Sequence, residues 1–427
     1  MPVKVQGEGE LNTKQISSPI HNKIWPGKVS IIVGDLSAEG AGRWGGAVRP
    51  FLLTTALRQL GIAVEILGFA NDNVPLSVPS EVSIKRFPKT QYPRFLNSAR
   101  RLIQAIEGDI IYAYKTKASS FGVSLLAKKW YKRPLILDID DWEMSWHGGD
   151  QWRYQPSPKQ RYRDLVKPDG ALRQPDHPIY LQRMEKRISQ ADAVTVHTSF
   201  LQRKFGGMCI PNGKDVHQFN PEKYDSTSSR QQFGLENYKV LMFPGAPRPY
   251  KGLEDLLTAL EILNRPNLRL VIVGGSPYDD YDRQLHKHWG KYIIQLPKLP
   301  YADMPKIVSA ADIIVVPQRD TAAAQAQFPL KLTDGMAMAK PILATAVGDI
   351  PRILGDAGYI VPPGDSQAMA QKIADILANL EAAKLTGYRA RERCIRYYSI
   401  EAMANSLQNQ VLPAVCPHSE EIIQSQS

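Results

Sequence analysis

Twice along the chain, short runs of β-branched and other apolar residues alternate with glycine-bearing turns and amphipathic stretches. The pattern starts near residue 28 and starts again near residue 238. Apolar runs this short, separated by helical segments, predict parallel strands buried on both faces, and therefore doubly wound α/β sheets. In the first half the expected strands are "KVSIIVGDL" (28–36), "IAVEILGFA" (62–70), "DIIYAYK" (109–115), "PLILDID" (134–140) and "DAVTVHT" (192–198), with a helix over 45–61 stopped by Gly61. In the second half they are "YKVLMFPGA" (238–246), "LRLVIVGG" (268–275), "YIIQLP" (292–297), "DIIVVPQ" (312–318), "PILATAV" (341–347) and "AGYIVPPG" (357–364). Helices are expected there over 252–264, 302–310, 330–339 and 366–380.

A length of 427 residues suits two such domains. The sequence divides into an N-terminal extension (1–27), a first Rossmann-like domain (28–215), a polar, turn-rich linker (216–237), a second Rossmann-like domain (238–390) and a C-terminal part (391–427). The last helix, over about 400–413, has no strand after it and is expected to pack back on the first domain. Residues 142–178 interrupt the rhythm with tryptophan, arginine and proline, which favours a binding loop over plain disorder.

A formal charge of +11 calls for an anionic partner, whether a phosphate-bearing substrate, a nucleic acid or an acidic membrane surface. The three cysteines, Cys209, Cys394 and Cys416, are scattered and none lies in a CxxC, so neither a disulfide framework nor a thiolate metal site is expected, and a reducing compartment is. The N-terminus lacks the apolar core of a signal peptide, and the longest apolar runs fall far below the ~20 residues of a spanning helix.

Ligands in doubly wound sheets bind beyond the carboxyl ends of the strands. After the first strand, Gly40, Gly42 and Gly45 match GxGxxG. They start too far behind the strand for a dinucleotide turn, and Glu65 falls inside the second strand rather than at its end, so dehydrogenase chemistry is disfavoured. A glycine-rich loop at a helix start still suits a phosphate. Asp138 and Asp140 flank Ile139 on one side of a strand end, where they suit a divalent cation, a base, a sugar hydroxyl or a structural cap. In the second half Arg248 and Lys251 follow a strand, and Gly252 opens a helix; two cations at a helix N-terminus oppose the dipole and favour an anion there. In "FPLKLTDGMAMAKPILATAVGDIP" (328–351), Lys331 and Asp334 lie one helical turn apart. They form either an internal ion pair or a nucleotide site, with Lys331 toward phosphate and Asp334 toward both ribose hydroxyls.

In order and spacing, "PNGKDVHQFNP" (211–221), "PGAPRPYKGLEDLLTAL" (244–260), "ADIIVVP" (311–317) and "KLTDGMAMAKPILATAVGDIPRIL" (331–354) resemble the retaining glycosyltransferases of family 4. The resemblance covers about residues 28–410. It implies the GT-B fold, with two facing Rossmann-like domains across a deep interdomain cleft. It also implies a nucleotide-sugar donor held mostly by the second domain and a hydroxyl acceptor, a glycan or lipid-linked glycan, held by the first, with 142–178 on the acceptor side. The implied reaction is hexosyl transfer with retention, with no cofactor and no metal. Carried onto this sequence, the donor residues are Gly45, Gly46, Arg248, Lys251, Gln327, Lys331, Leu332 and Asp334, and the catalytic ones Asp140, Arg248 and Lys251.

The chain departs from the family at four places. The first of two paired acids matches Ala326, for which Gln325, Gln327 or the amides of "AQFP" could substitute. The second acid is the shorter Asp334. The phosphate arginine is displaced by two, with Ala246 at its usual place, and a histidine after the fourth strand is Asp140. The alternatives are a nucleotide-sugar epimerase or phosphorylase on this fold, or an inactive nucleotide-sugar-binding partner of another transferase; a nucleic-acid role explains the charge and not the cleft residues. Two basic, apolar stretches, 92–106 and 125–134, suit an anionic membrane surface, which places the protein in the cytoplasm with peripheral contact on the inner face of the membrane.

Overall fold

The computed structural model describes residues 27–37, 48–71, 82–276 and 279–416. Seven parallel strands make the first sheet: β1 (Lys28–Val33), β2 (Ala63–Ala70), β3 (Ser83–Pro88), β4 (Ile110–Tyr114), β5 (Leu135–Ile139), β6 (Ala193–Val196) and β7 (Met208–Cys209), in the order β3-β2-β1-β4-β5-β6-β7. Six make the second: β8 (Lys239–Pro244), β9 (Leu268–Val273), β10 (Ile293–Leu296), β11 (Ile313–Val316), β12 (Ile342–Thr345) and β13 (Tyr359–Val361), in the order β10-β9-β8-β11-β12-β13. The strand order reverses between β1 and β4 and between β8 and β11, and a crevice opens at the carboxyl ends of those strands. The central strands are sealed on both faces: Ile31, Ile32, Ile111, Leu137, Leu241, Ile272 and Ile314 are all buried. These are the two Rossmann-like domains expected from the alternation, in the GT-B arrangement that the resemblance implies.

Several elements were not legible, β3 and the longest described helix among them. β3, "SIKRFP", is a half-buried edge strand carrying Lys85 and Arg86, so it lacks the apolar run of its neighbours. That helix, Leu380–Tyr398, buries a narrow stripe of mostly small residues, Ala383, Thr386, Gly387, Ala390 and Cys394, with Tyr398 at its end, and its sequence shows little amphipathic contrast.

The domain division needs correction. The expected linker 216–237 belongs to the second domain: Val216, Phe219 and Leu235 join the core of Val240, Met242 and Ile314. The expected boundary at residue 391 falls inside the Leu380–Tyr398 helix, which packs on the Leu330–Ala337 helix of the same domain. The chain crosses back at Ser399. From there Ile400, Met403, Leu407 and Val411 enter the first-domain core beside Phe51, Leu53 and Leu57. The 142–178 segment is built from short helical turns and the helix Pro158–Val166. The extension 1–26 and the tail beyond 416 lie outside the described residues.

The two crossings between domains run side by side. The amide of Lys214 donates to the Tyr398 carbonyl at 2.7 Å, and the amide of Ile400 donates to the Lys214 carbonyl at 3.0 Å. Gly213 permits this approach, since a Cβ there would lie 2.9 Å from the Ile400 Cα.

Candidate active site

Phe243 is the penultimate residue of β8, after which the chain turns through Pro249–Lys251 into the helix Leu253–Leu263. Gly252 makes the turn possible. Its φ is +68°, and a Cβ there would sit 1.9 Å from the Pro317 carbonyl oxygen at the end of β11. The turn places Lys251 Nζ 5.9 Å from the Phe243 ring centroid, and the helix Leu330–Ala337 brings Lys331 Nζ to 4.6 Å from the same ring. Lys251 donates to the Ala246 carbonyl at 2.8 Å. Among the described residues neither lysine forms an ion pair. Burial pulls Lys331 down to about 8 although Asp334 opposes it, and burial, then Lys331 and Arg248, pull Lys251 well below the usual lysine range. A buried and a half-buried ammonium group beside one ring, at a strand end, form a place for an anion. Arg248 is not free in the way expected: its Nη1 lies 3.1 Å from Asp279.

Asp334 is paired, though not with Lys331. Its Oδ1 accepts from Lys214, which also lies 4.2 Å from the Phe219 ring centroid and 3.4 Å from the Tyr301 hydroxyl. Burial would lower the Lys214 pKa, but Asp334 holds it well above its usual value. Lys214, inside the quoted "PNGKDVHQFNP", was not singled out in the sequence because nothing local marks it as the partner of a residue 120 positions away. Leu332 departs from expectation: its side chain is in the second-domain core and its amide donates to the Pro329 carbonyl at 2.9 Å, so neither is left for a donor. Gln327 reaches the Tyr250 hydroxyl at 3.3 Å. Gly45 and Gly46 lie outside the described residues.

One tripeptide of the first domain, His197–Ser199, contacts the second domain at Ala326 and at Asp349. His197 Nε2 lies 3.2 Å and Thr198 Oγ1 3.4 Å from the Ala326 carbonyl oxygen. The Ser199 amide donates to Asp349 Oδ2 at 2.8 Å, and its hydroxyl to Oδ1. Burial, with Arg49 nearby, pushes His197 down to about 4, so the ring is neutral. Asn212 Nδ2 lies 3.3 Å from His197 Nδ1, which leaves Nε2–H to donate to Ala326. Behind this, Arg49 binds Asp138 at 2.7 Å and Asn212 at 2.9 Å. Of the open readings of Asp138 the structure selects a structural one: it is fully buried and also accepts from Thr195 at 2.6 Å.

Asp140 stands apart, on the first-domain wall. The Tyr114 hydroxyl donates to its Oδ2, and Lys115 Nζ is 3.5 Å from its Oδ1. Lys115 also meets Glu143 at 2.6 Å. Burial pushes Asp141 up to about 6, with Lys115 opposing and Glu143 and Asp140 adding to the rise. The wall meets the second domain where Trp146 packs on Tyr250, centroids 5.6 Å apart, next to Lys251 in sequence. Asp140 and the lysine pair thus lie on opposing domains that touch at these two rings.

Residues 238–379 match the family model for Glycosyl transferases group 1. The second domain belongs to glycosyl transferases group 1. This glycosyltransferase domain carries Arg248, Lys251, Lys331 and Asp334. The chain is 27% identical over 231 residues to an N-acetyl-alpha-D-glucosaminyl L-malate synthase of Bacillus anthracis, covering 51% of this chain and 58% of that one. It is 24% identical over 230 residues to a GDP-mannose-dependent alpha-(1-6)-phosphatidylinositol monomannoside mannosyltransferase of Mycolicibacterium smegmatis, covering 50% and 60%. The chain therefore matches these curated relatives over less than two thirds of their length. The crystal structure of the Anabaena protein HepE in complex with UDP and glucose superposes with a TM-score of 0.66 at 18% identity, covering 89% of this chain and 98% of that one. That likeness establishes the GT-B fold across both domains.

Proposed function

We propose that the protein is a retaining glycosyltransferase that moves a hexosyl unit from a UDP- or GDP-sugar to a hydroxyl of a glycan or lipid-linked glycan. The observation that carries this reading is the Lys251–Lys331 pair over Phe243, a half-buried and a buried cation that form no ion pair among the described residues. The names of relatives agree with it, one using GDP-mannose and acting on a phosphatidylinositol mannoside.

In this reading the donor diphosphate lies against Lys251 and Lys331, with Arg248 released from Asp279 to join them. The Asp334 Oδ2, outside the pair with Lys214, accepts from a ribose hydroxyl. The anomeric carbon–phosphate bond breaks as the acceptor oxygen bonds to the same face of that carbon, and the acceptor's proton passes to the departing diphosphate. Preplaced positive charge stabilises that leaving group without requiring a metal or other cofactor. Asp140 faces the sugar from the first domain.

The test is a thermal-shift screen against UDP, GDP, ADP and their sugars, with Lys251→Ala as control. A bound ligand raises stability by about 2.7 kcal/mol at a hundred times Kd. One base that stabilises the wild type and not the variant supports the reading; no shift with any nucleotide overturns it. A second reading, a silent nucleotide-sugar-binding partner of another transferase, draws on Ala326, whose methyl replaces a carboxylate and whose carbonyl is already engaged by His197. Donor binding without turnover across acceptors would favour it.

We also propose peripheral contact with an anionic membrane, on its cytoplasmic face. The adjoining helices Phe95–Gln104 and Val123–Tyr131 leave Leu96, Leu126, Trp130 and Tyr131 exposed among Arg94, Arg100, Arg101, Lys129 and Lys132. No acid occurs in residues 89–106 or 117–134. Among the described residues no helix is long and apolar enough to cross a membrane. Co-sedimentation with phosphatidylglycerol vesicles should fall on raising salt and in Arg100→Glu/Arg101→Glu; binding indifferent to both would sink the idea.

A further inference from the structure

A surface helix ordinarily turns an apolar stripe inward and shows polar residues to water. The helix Pro158–Val166 does the reverse. It is capped by Ser157, whose hydroxyl accepts from the Gln160 amide at 3.2 Å. Its one acid, Asp164, is buried and accepts from Tyr154 and Gln160, both at 2.7 Å. Gln160 and Asp164 stand one turn apart and mark the inner side. At about 100° per residue Tyr162 points directly away from them, with Leu165 and Val166 within about 60° of it. Tyr162 and Leu165 are 66% and 62% exposed, and Val166 is 48% exposed. Arg161 and Arg163 flank this apolar crest, and Lys159 and Lys167 bracket it. Arg163 meets Asp169 at 2.9 Å; among the described residues Lys159, Arg161 and Lys167 form no ion pair. No acid occurs in residues 151–163. Arg173 ties the end of this helix to the basic helix Phe95–Gln104: its guanidinium donates to the Val166 carbonyl at 3.2 Å and to the Tyr92 carbonyl at 2.8 Å. The crest therefore borders the flank on which Leu96 and Trp130 stand exposed among cations.

We propose that the crest of Tyr162, Leu165 and Val166 enters the acyl boundary of an anionic bilayer, with Lys159, Arg161, Arg163 and Lys167 held at the level of the headgroups. The inference rests on the membrane contact proposed above and adds to its basic helices an element that penetrates. An apolar ridge ringed by cations is the pattern of a helix that lies in the interface. A nucleic acid would offer phosphate to the cations and nothing apolar to Leu165 and Val166. A second copy would set these cations against themselves, and a protein partner would need a groove shaped to a ridge one helix wide. An acyl surface is fluid and takes the ridge as it stands, and its anionic headgroups complement the flanking arginines and lysines.

The experiment compares the full chain with its Leu165→Asp/Val166→Asp variant on phosphatidylglycerol. Co-sedimentation with vesicles reads adsorption, and the rise in surface pressure of a monolayer held at constant area reads penetration. The wild type should raise the pressure and the variant should not, and vesicle affinity should fall at least about tenfold in the variant. At about 1 M salt, where the Debye length is about 3 Å, the wild type should keep a fraction of its binding that the variant lacks. Both changes lie at exposed positions, so the two proteins should melt alike; Leu165→Gln, a milder change, should lose part of the pressure rise. A wild type that co-sediments without raising the pressure, or a variant that raises it equally, overturns this proposal and leaves the adsorbed basic helices standing. A wild type that binds no vesicle at any salt overturns both readings. Sedimentation velocity completes the test: a wild-type dimer that the variant loses gives the crest to a second copy and overturns the proposal.

Discussion

Lys214 and Asp334 hold each other in the seam between the domains, their side chains 3% and 11% exposed. Removing either partner leaves a charge buried without its counterion. Lys214→Met is therefore expected to destabilise the protein by about 3–5 kcal/mol, and Lys214→Met/Asp334→Leu by clearly less than the sum of the single changes, because the double change removes both charges. Urea unfolding of the four proteins checks this; additive losses would deny the coupling.

Among the described residues Lys251 and Lys331 meet no carboxylate directly, so their effect should appear in catalysis and ligand binding more than in folding. Lys251→Ala is expected to lose at least about 2 kcal/mol of transition-state stabilisation, measured as kcat/KM for the donor. Unliganded stability should rise slightly or stay level, since a desolvated cation is removed. A variant that turns over normally would remove Lys251 from the diphosphate site.

The same pair predicts how donor binding depends on pH. Lys331 is held down to about 8 in the unliganded protein, chiefly by burial, and a bound diphosphate raises its pKa. Below pH 8 the lysine is charged both before and after binding, and affinity does not depend on its titration. Above pH 8 binding must take up a proton, so affinity falls as pH rises, by at most about tenfold per unit for this lysine. Calorimetry in two buffers of different ionisation enthalpy should detect proton uptake near pH 8.5 and little from this lysine near pH 7.

His197 acts in the opposite pH direction from the usual paired histidine. Its folded pKa, about 4, lies below the ordinary 6.5. Between those values the unfolded chain binds the proton and the folded chain does not, so acidification from pH 6.5 to 4 removes stability, by roughly 3 kcal/mol at full effect. His197→Gln, which keeps a donor toward Ala326 without a titrating group, should flatten that part of the pH profile. An unchanged profile would place the acid sensitivity elsewhere.

Fold class and strand ends could be read from the sequence because both depend on local pattern. The buried runs around Ile31, Leu137, Leu241 and Ile314 repeat with turns at regular distance, and the residues after β5, β8 and β11 follow from that repeat. Lys331 and Lys251 were legible because each is a cation in an otherwise apolar or glycine-bearing context. What stayed hidden depends on long-range partners. Nothing near Arg248 announces Asp279, nothing near Asp334 announces Lys214, and the His197–Ser199 grip exists only once two domains face each other. Leu332 misled because a residue between two polar site candidates on a helix points the other way, into the core. Asp138 stayed open among several readings because its partner, Arg49, lies 89 positions away in the sequence.

The paired crossings at Lys214 and Ser399 make two adjacent backbone passages the shared pivot of the molecule. In a rotation of one domain against the other, atoms near the axis barely move, and distant atoms sweep arcs in proportion to their radius. Lys214 sits on that axis, so its bond to Asp334 persists through the swing. The Ser199–Asp349 contact ties the two domains beside these crossings, within electrostatic reach of Tyr398. A rotation about the crossings therefore has to part the Ser199–Asp349 contact, while the Lys214–Asp334 pair at the axis is disturbed least.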